Sequence, residues 1–245
     1  MIFETYFSKE LEQLEEEKYK KSIIIMIDVL RASTTICSML FNGAKEVLPC
    51  PNPDDAWQRY RERDGINCVL AGEARLKLPK GFGLGNSPTE NTSDKVKDKT
   101  IILSTSNGTK IFTKAVPANY RIIGSFVNAD AVIDFILRNK KGANSSIILC
   151  SGEYGEPCEE DLMCAGYFID HLMQDKQDVL KAYSKEAELL YLDHKDDIPS
   201  ALNQCKHSQD LYDLGLRKDV EFAGKLNICS VIPLISRHNI ITSEK

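Results

Sequence analysis

The chain has 245 residues, of which 42% are hydrophobic and 27% charged, and its formal net charge is −5. That is enough chain for one large core or two small ones, and the acidic balance argues against a general nucleic-acid binder while leaving room for a locally positive pocket that takes a small anion. No apolar run has the length of a bilayer-crossing helix, residues 1–8 lack a basic start followed by an apolar core, and the eight cysteines contain no C-x-x-C pair, so we read a cytoplasmic protein with free thiols, away from membranes.

In chain order, residues 2–7 alternate as a first strand. Residues 9–21 read as an exposed polar helix with Leu11 and Leu14 three apart and Glu15-Glu16-Glu17 on a solvated face. The apolar run 22–27 is a strand that breaks into Asp28-Val29-Leu30-Arg31-Ala32-Ser33-Thr34-Thr35, and residues 33–41 follow as a helix stopped by Asn42-Gly43. A short strand at 46–49 and a helix at 53–64 carrying Trp57 and ended by Gly65 come next. The strand 68–71 breaks into Gly72-Glu73-Ala74-Arg75 and opens a long irregular stretch, 72–91, punctuated by Pro79, Gly81, Gly83, Gly85 and Pro88. A loop of that length inside a domain is usually functional.

The strand 100–104 runs into Thr105-Ser106-Asn107-Gly108-Thr109, with a helix opening near Gly108. A strand at 120–123 ends at Gly124-Ser125, and Asp130 reads as the cap of a helix through Asn139 with Val132, Ile133, Ile136 and Leu137 buried. The strand 147–150 breaks into Ser151-Gly152-Glu153, and Glu159-Glu160-Asp161 opens a helix with Leu162, Ala165, Ile169 and Leu172 on its apolar face. Residues 177–224 read as polar helices broken near Pro199 and Gly215, and 231–242 as one or two last strands. The β-α alternation implies an α/β protein with a largely parallel sheet covered on both faces. We read the whole chain, 1–245, as a single domain whose part from about 177 is helical and packs on the same core.

Four strands thus end abruptly in acidic, hydroxyl and amide residues. Open α/β sheets bind ligands outside the carboxyl ends of their strands, so parallel strands would gather the four clusters on one rim. Asp28 there can ligate a metal ion or attack phosphorus, or it can merely cap a turn. Arg31 can fork onto a phosphate. Ser33, Thr34 and Thr35 open a helix and either cap it or offer donors to an anion, and the 104–109 cluster repeats that design. Glu73 and Glu153, with Asp161 or Glu160, could join Asp28 around Mg²⁺, which needs only one or two protein carboxylates besides phosphate oxygens. The glycines of 81–85 neither follow a strand nor open a helix, so they shape a loop that presents Asn86 and Ser87 rather than a dinucleotide site. His171, His194, His207 and His238 show no metal-ligand spacing and read mostly as surface residues.

These segments resemble the Mg²⁺-dependent 2-phosphosulfolactate phosphatases. The matching motifs are residues 27–35, Ala71-Gly72-Glu73, Leu84-Gly85-Asn86-Ser87-Pro88, Ser106-Asn107-Gly108-Thr109, Gly124-Ser125-Phe126-Val127-Asn128-Ala129, and Cys150-Ser151-Gly152 with Glu160-Asp161-Leu162 and Cys164-Ala165-Gly166. The chain departs where Gly83 replaces a common Asp and where Ala74 separates Glu73 from Arg75. The resemblance implies a three-layer α/β/α sandwich with a mixed, largely parallel sheet, Mg²⁺, and hydrolysis of 2-phospho-3-sulfolactate in coenzyme M biosynthesis. In that scheme Asp28, Arg31 and Glu73 are catalytic and Asp28, Glu73, Glu153 and Asp161 are candidate metal ligands. Ser33, Thr34, Thr35, Arg75, Asn86, Ser87, Ser106, Asn107, Gly108, Thr109, Ser125 and Asn128 would bind the small phosphorylated anion, with Lys77 and Lys80 near Arg75 offsetting its other charges. A phosphatase for another small phospho-acid, or a non-catalytic anion binder, remains open at this point, as does a homo-oligomeric assembly.

Overall fold

The computed structural model describes residues 1–13, 16–63, 65–106, 108–114, 117–153, 156–173 and 177–244. The elements run β1 (Ile2–Phe7), a 3-10 turn (Ser8–Gln13), α1 (Glu16–Tyr19), β2 (Ser22–Ile27), α2 (Ala32–Phe41), β3 (Glu46–Cys50), α3 (Pro53–Glu62), β4 (Cys68–Gly72), α4 (Ser93–Val96), β5 (Thr100–Ser104) and α5 (Gly108–Thr113). Then come β6 (Tyr120–Gly124), a 3-10 turn (Phe126–Asn128), α6 (Ala129–Asn139), β7 (Ser145–Cys150), α7 (Glu159–Leu172), β8 (Val179–Ala182), α8 (Ser184–His194), α9 (Ile198–Gln204), α10 (Lys206–Asp213), α11 (Arg217–Ala223), β9 (Pro233–Ile235) and β10 (Ile241–Ser243).

The strands form one ten-stranded sheet in the order β4-β5-β3-β10-β9-β6-β2-β7-β1-β8. The β4-β5-β3 block is internally parallel, and so is the β6-β2-β7-β1-β8 block. Three antiparallel pairings through β10 and β9 separate the blocks, so along the ladder the two run in opposite senses. The expected mixed, mostly parallel α/β sheet is present, but the four polar strand ends are not neighbours on one rim. β2 and β7 contribute two from one block, and β4 and β5 contribute two from the other.

The period-2 alternation of a strand shows why helices cover both faces. Ile23, Ile25 and Ile27 of β2 join Phe126, Phe135 and Phe168 in the core under α6, α7 and the C-terminal helices. Ile24 and Met26 join Ile36 and Met39 of α2 and Phe112 of α5 on the opposite face. Each fully buried Ile contributes about 1.5–3 kcal/mol, so this one strand anchors the turn that follows it. In the other block Ile102 of β5 packs with Ala56 of α3, while Ile101 and Leu103 belong to the core cluster on the opposite face.

Local readings need four corrections. Residues 9–21 are not one exposed helix, because Leu11 and Tyr19 are buried and only α1 is α-helical; Leu14 and Glu15 lie outside the described residues. Asp130 is not the cap of α6: Asn128 holds that position at the end of a 3-10 turn closed by a Ser125–Asn128 capping box. Within 177–224 an edge strand, β8, precedes the helices and pairs with β1. Pro199 lies in the first turn of α9, where its missing N–H is harmless, and Asp197 caps that helix through the Ser200 amide. No helix among the described residues is long and apolar enough to cross a membrane.

Candidate active site

A small polar cleft, with a cavity volume of about 30 Å³, lies where the two blocks approach, lined by Asp28, Leu30, Arg31, Glu73, Arg75, Leu76, Asn86, Thr105, Ser106, Gly108, Glu153 and His207. All four polar strand ends reach it. Asp28, directly after β2, is clamped from α2: its Oδ1 accepts the Ala32 amide at 2.9 Å, and its carbonyl accepts the Ser33 amide at 2.8 Å and the Ser33 hydroxyl at 2.6 Å. The helix's first amides are thereby spent on Asp28 itself. Oδ2 faces Gly108, where an added Cβ would stand 2.4 Å from it and 2.6 Å from the Ala32 Cβ. Gly108→Ala should therefore push the carboxylate out of place and lower kcat/KM about 100-fold, measured beside circular dichroism to show a retained fold; unchanged turnover would contradict this packing.

Glu73 follows Gly72, whose φ of +134° and approach to the Ser104 carbonyl (a Cβ would lie 1.8 Å away) exclude a side chain. Its Oε1 accepts the Ser106 amide at 2.6 Å, and Oε2 accepts the Leu76 amide at 2.7 Å and the Ser106 hydroxyl at 3.0 Å. Glu73 thus ties the turn after β4 to the turn after β5. The Ser106 hydroxyl also accepts the Arg75 amide at 3.1 Å, which fixes the start of the exposed Arg75 side chain. Arg31 is buried and donates from Nη1 to Asp219 Oδ2 at 2.8 Å. Asp219 Oδ1 accepts the hydroxyls of Ser87 at 2.7 Å and Thr89 at 2.8 Å, so α11 and the glycine loop both brace Arg31.

The other expected site residues stand behind the cleft wall. The Thr34 hydroxyl donates to the Val29 carbonyl at 2.8 Å and meets the Ser125 hydroxyl at 2.7 Å. Asn128 accepts the Ser125 amide and donates to the Ile123 and Val231 carbonyls. Thr109 bonds within its own turn to Thr105. Ser33 and Thr35 are buried on α2, and Ser87 lines an adjoining recess with Asn86 and Arg31. Asp161 does not reach the cleft: its two oxygens accept the Val29 amide at 2.8 Å and the Gly152 amide at 3.0 Å, locking the β2 and β7 turns together. Lys77 and Lys80 are not on the wall. Asn107 lies outside the described residues.

Two residues carry no signal in the sequence, one on the cleft wall and one behind it. His207, in the first turn of α10, is buried rather than superficial and places Nδ1 3.1 Å from Glu160 Oε1. Asp219 is the buried partner of Arg31. Neither sits in a motif with local spacing that announces its role.

Burial pushes the Asp28 carboxyl above its usual range; the Ala32 amide, the His207 charge and the neighbouring Ser151 hydroxyl oppose this, and the Glu73 charge adds to it. Asp161 is raised well above the ordinary value by burial and then by the charges of Asp28 and Glu160. For His207, burial lowers the pKa, but the hydrogen bond and charge of Glu160, with Asp28 and Glu153, leave it raised above 6.5. A raised native pKa contributes stability that is complete below the unfolded value and is lost as pH rises through the native one. Metal-free protein should accordingly lose thermal stability as pH rises above about 6.5, and His207→Gln should flatten that slope. An identical slope in the variant would contradict the assignment.

Among the described residues no three His, Cys, Asp or Glu side chains form a ready-made metal cage. Asp28 Oδ2 faces the cleft wall at Gly108, and the buried amide oxygen of Asn86 has no hydrogen-bond partner among the described residues. An unpaired buried acceptor of this kind is costly unless a ligand or ordered water satisfies it.

A sheet covered on both faces that delivers charged side chains from several strand ends into one cleft is the layout of an α/β enzyme for a small charged molecule. The sequence comparisons specify the class. The chain belongs to the 2-phosphosulpholactate phosphatase family, a family of phosphoric monoester hydrolases, whose model matches residues 8–238. It is 35% identical over 222 residues to a protein of Clostridium tetani, covering 91% of this chain and 93% of that one. It is 33% identical over 231 residues to one of Clostridium acetobutylicum, covering 94% and 96%. It is 31% identical over 242 residues to one of Caldanaerobacter subterraneus subsp. tengcongensis, covering 99% and 97%. All three relatives bear the name "Probable 2-phosphosulfolactate phosphatase".

Proposed function

We propose that this chain hydrolyses 2-phospho-3-sulfolactate to 3-sulfolactate and phosphate with Mg²⁺ as its cofactor. The observation that carries the reading is the cleft itself, which the cations Arg31 and Arg75 share with the carboxylates Asp28, Glu73 and Glu153 beside an Asn86 oxygen that has no partner among the described residues. Three acids alone would repel a phosphate, whereas a divalent cation between them and the anion reverses that sign.

The donor set suits Mg²⁺, which keeps several waters and takes one or two protein carboxylates plus phosphate oxygens. Asp28 would hold it, with Glu153 or Glu73 as the second carboxylate. Bound there, the ion would neutralise charge on the transferring phosphoryl group. Arg31, pinned by Asp219, keeps further N–H donors for phosphate oxygens. Exposed Arg75 would offset the charge of the sulfonate or carboxylate. Leu30 and Leu76, the apolar side chains of the wall, would lie against the carbon skeleton.

The test is phosphate release from 2-phospho-3-sulfolactate and from a panel of phosphorylated hydroxy acids. Release should require Mg²⁺, fall to background after EDTA treatment and return on adding Mg²⁺ back. Turnover indifferent to chelation, or tight anion binding with no release at any metal concentration, would contradict the proposal.

A further inference from the structure

We propose that His207, positioned by Glu160, is the general acid that protonates the departing alcohol oxygen of the phosphate ester, an assignment that rests on the phosphatase reading above. The geometry carries it. The ring lines the cleft, and Nδ1 is turned away toward Glu160 Oε1 at 3.1 Å. A carboxylate only accepts, so Nδ1–H is the donor and Nε2 is left without a partner among the described residues. Both side chains are buried, which fixes the ring plane.

The surroundings favour the imidazolium. Glu160, from α7, accepts the Nδ1 proton, and its hydrogen bond and charge raise the pKa against the effect of burial; the charges of Asp28, from the turn after β2, and Glu153, from the turn after β7, add to this only while no cation offsets them. The cations nearby are Lys206 on the same helix, 3.4 Å from Glu153, and Arg31 and Arg75 on the cleft wall. Neither arginine can give up a proton at neutral pH. Glu73 is tied down as an acceptor on both oxygens, and Asp28 is assigned to the cation. His207 is therefore the wall residue with a proton suited to transfer near neutrality.

An alkyl ester needs that proton because its alkoxide is a poor leaving group. The P–O bond breaks with its electron pair on the ester oxygen, and the Nε2 proton passes to that oxygen to give the alcohol. Water oxygen bonds to phosphorus from the opposite side and gives its surplus proton to solvent, and Nε2 takes a proton back from solvent once the alcohol has left. The sum is ester plus water to alcohol plus phosphate. Glu160 takes no proton; it is a positioning residue.

The experiment compares wild type and His207→Gln on 2-phospho-3-sulfolactate and on p-nitrophenyl phosphate, whose leaving group departs without protonation. Wild type should release phosphate from both. The variant should lose about 100- to 10,000-fold in kcat on the alkyl ester and less than about 10-fold on the aryl ester. Glu160→Gln should move the basic limb of the alkyl-ester pH profile to lower pH. Equal losses on the two esters overturn the assignment while leaving the phosphatase reading intact. Wild type inactive on both overturns the reading and the assignment together. Should the variant not fold, the wild-type profiles decide: a basic limb of one proton for the alkyl ester, absent for the aryl ester, supports the assignment, and superimposable limbs overturn it.

Discussion

Replacing Asp28 by Asn is expected to lower Mg²⁺-dependent turnover by about 1,000-fold or more, equivalent to about 4 kcal/mol of transition-state stabilisation, while leaving the fold intact. The two halves of that expectation have separate causes. Asn keeps the size and the oxygen that accepts the Ala32 amide, so the turn after β2 retains its clamp. What disappears is the buried negative charge beside Gly108, the feature that suits a divalent cation. Because burial already pushes the Asp28 carboxyl up, removing its charge should hold or raise the melting temperature of the metal-free protein. A variant that is folded and retains wild-type turnover would remove Asp28 from the chemistry. A variant that is inactive only because it is unfolded would refute the second half.

The largest stability effect should come from Asp219→Ala. Arg31 and Asp219 form a buried ion pair at 2.8 Å, and Asp219 also accepts the Ser87 and Thr89 hydroxyls. Removing one partner strands a buried guanidinium, which typically costs 3–5 kcal/mol. For a chain of this size that is a fall in Tm of roughly 6–20 °C. Turnover should fall as well, since Arg31 loses the contact that aims it. The double variant Arg31→Met with Asp219→Leu separates the two consequences: apolar replacement of both partners should recover much of the stability and none of the activity. A single variant that melts with wild type would show that solvent reaches the pair.

Much of this architecture was legible in short stretches. The Ile-rich run of β2, the helix stop at Asn42-Gly43 and the break of each strand into polar residues are local signals, because alternation and turn chemistry act within a few residues. The capping error at Asp130 was local too: a 3-10 turn moved the helix start to Asn128, and both residue types are good caps. The arrangement of the strands was not legible. That the β9-β10 hairpin wedges between two parallel blocks depends on pairings such as Ile241 with Val47 and Ile122 with Leu234, which no local pattern encodes.

The same distance separates the cleft residues that the sequence names from those that it does not. Asp28, Glu73, Asn86 and Ser106 each sit in a polar break after a strand or in the glycine loop. His207 acquires its meaning from Glu160, 47 residues away, and Asp219 from Arg31, 188 residues away. Ser33, Thr34, Ser125, Asn128 and Asp161 lie in equally conspicuous motifs, yet their polar atoms are engaged in holding the turns. A polar cluster at a strand end therefore marks the neighbourhood of the cleft, and burial with hydrogen-bond completion decides which members face it.

The most direct test of the account is anomalous diffraction from crystals grown with Mn²⁺ in place of Mg²⁺ and soaked with orthovanadate. The account predicts one or more metal peaks within about 2.0–2.3 Å of an Asp28 carboxylate oxygen, with the vanadate in the same cleft against Arg31 and Asn86. Metal and vanadate bound together elsewhere, with the Asp28 cleft holding neither, would contradict it.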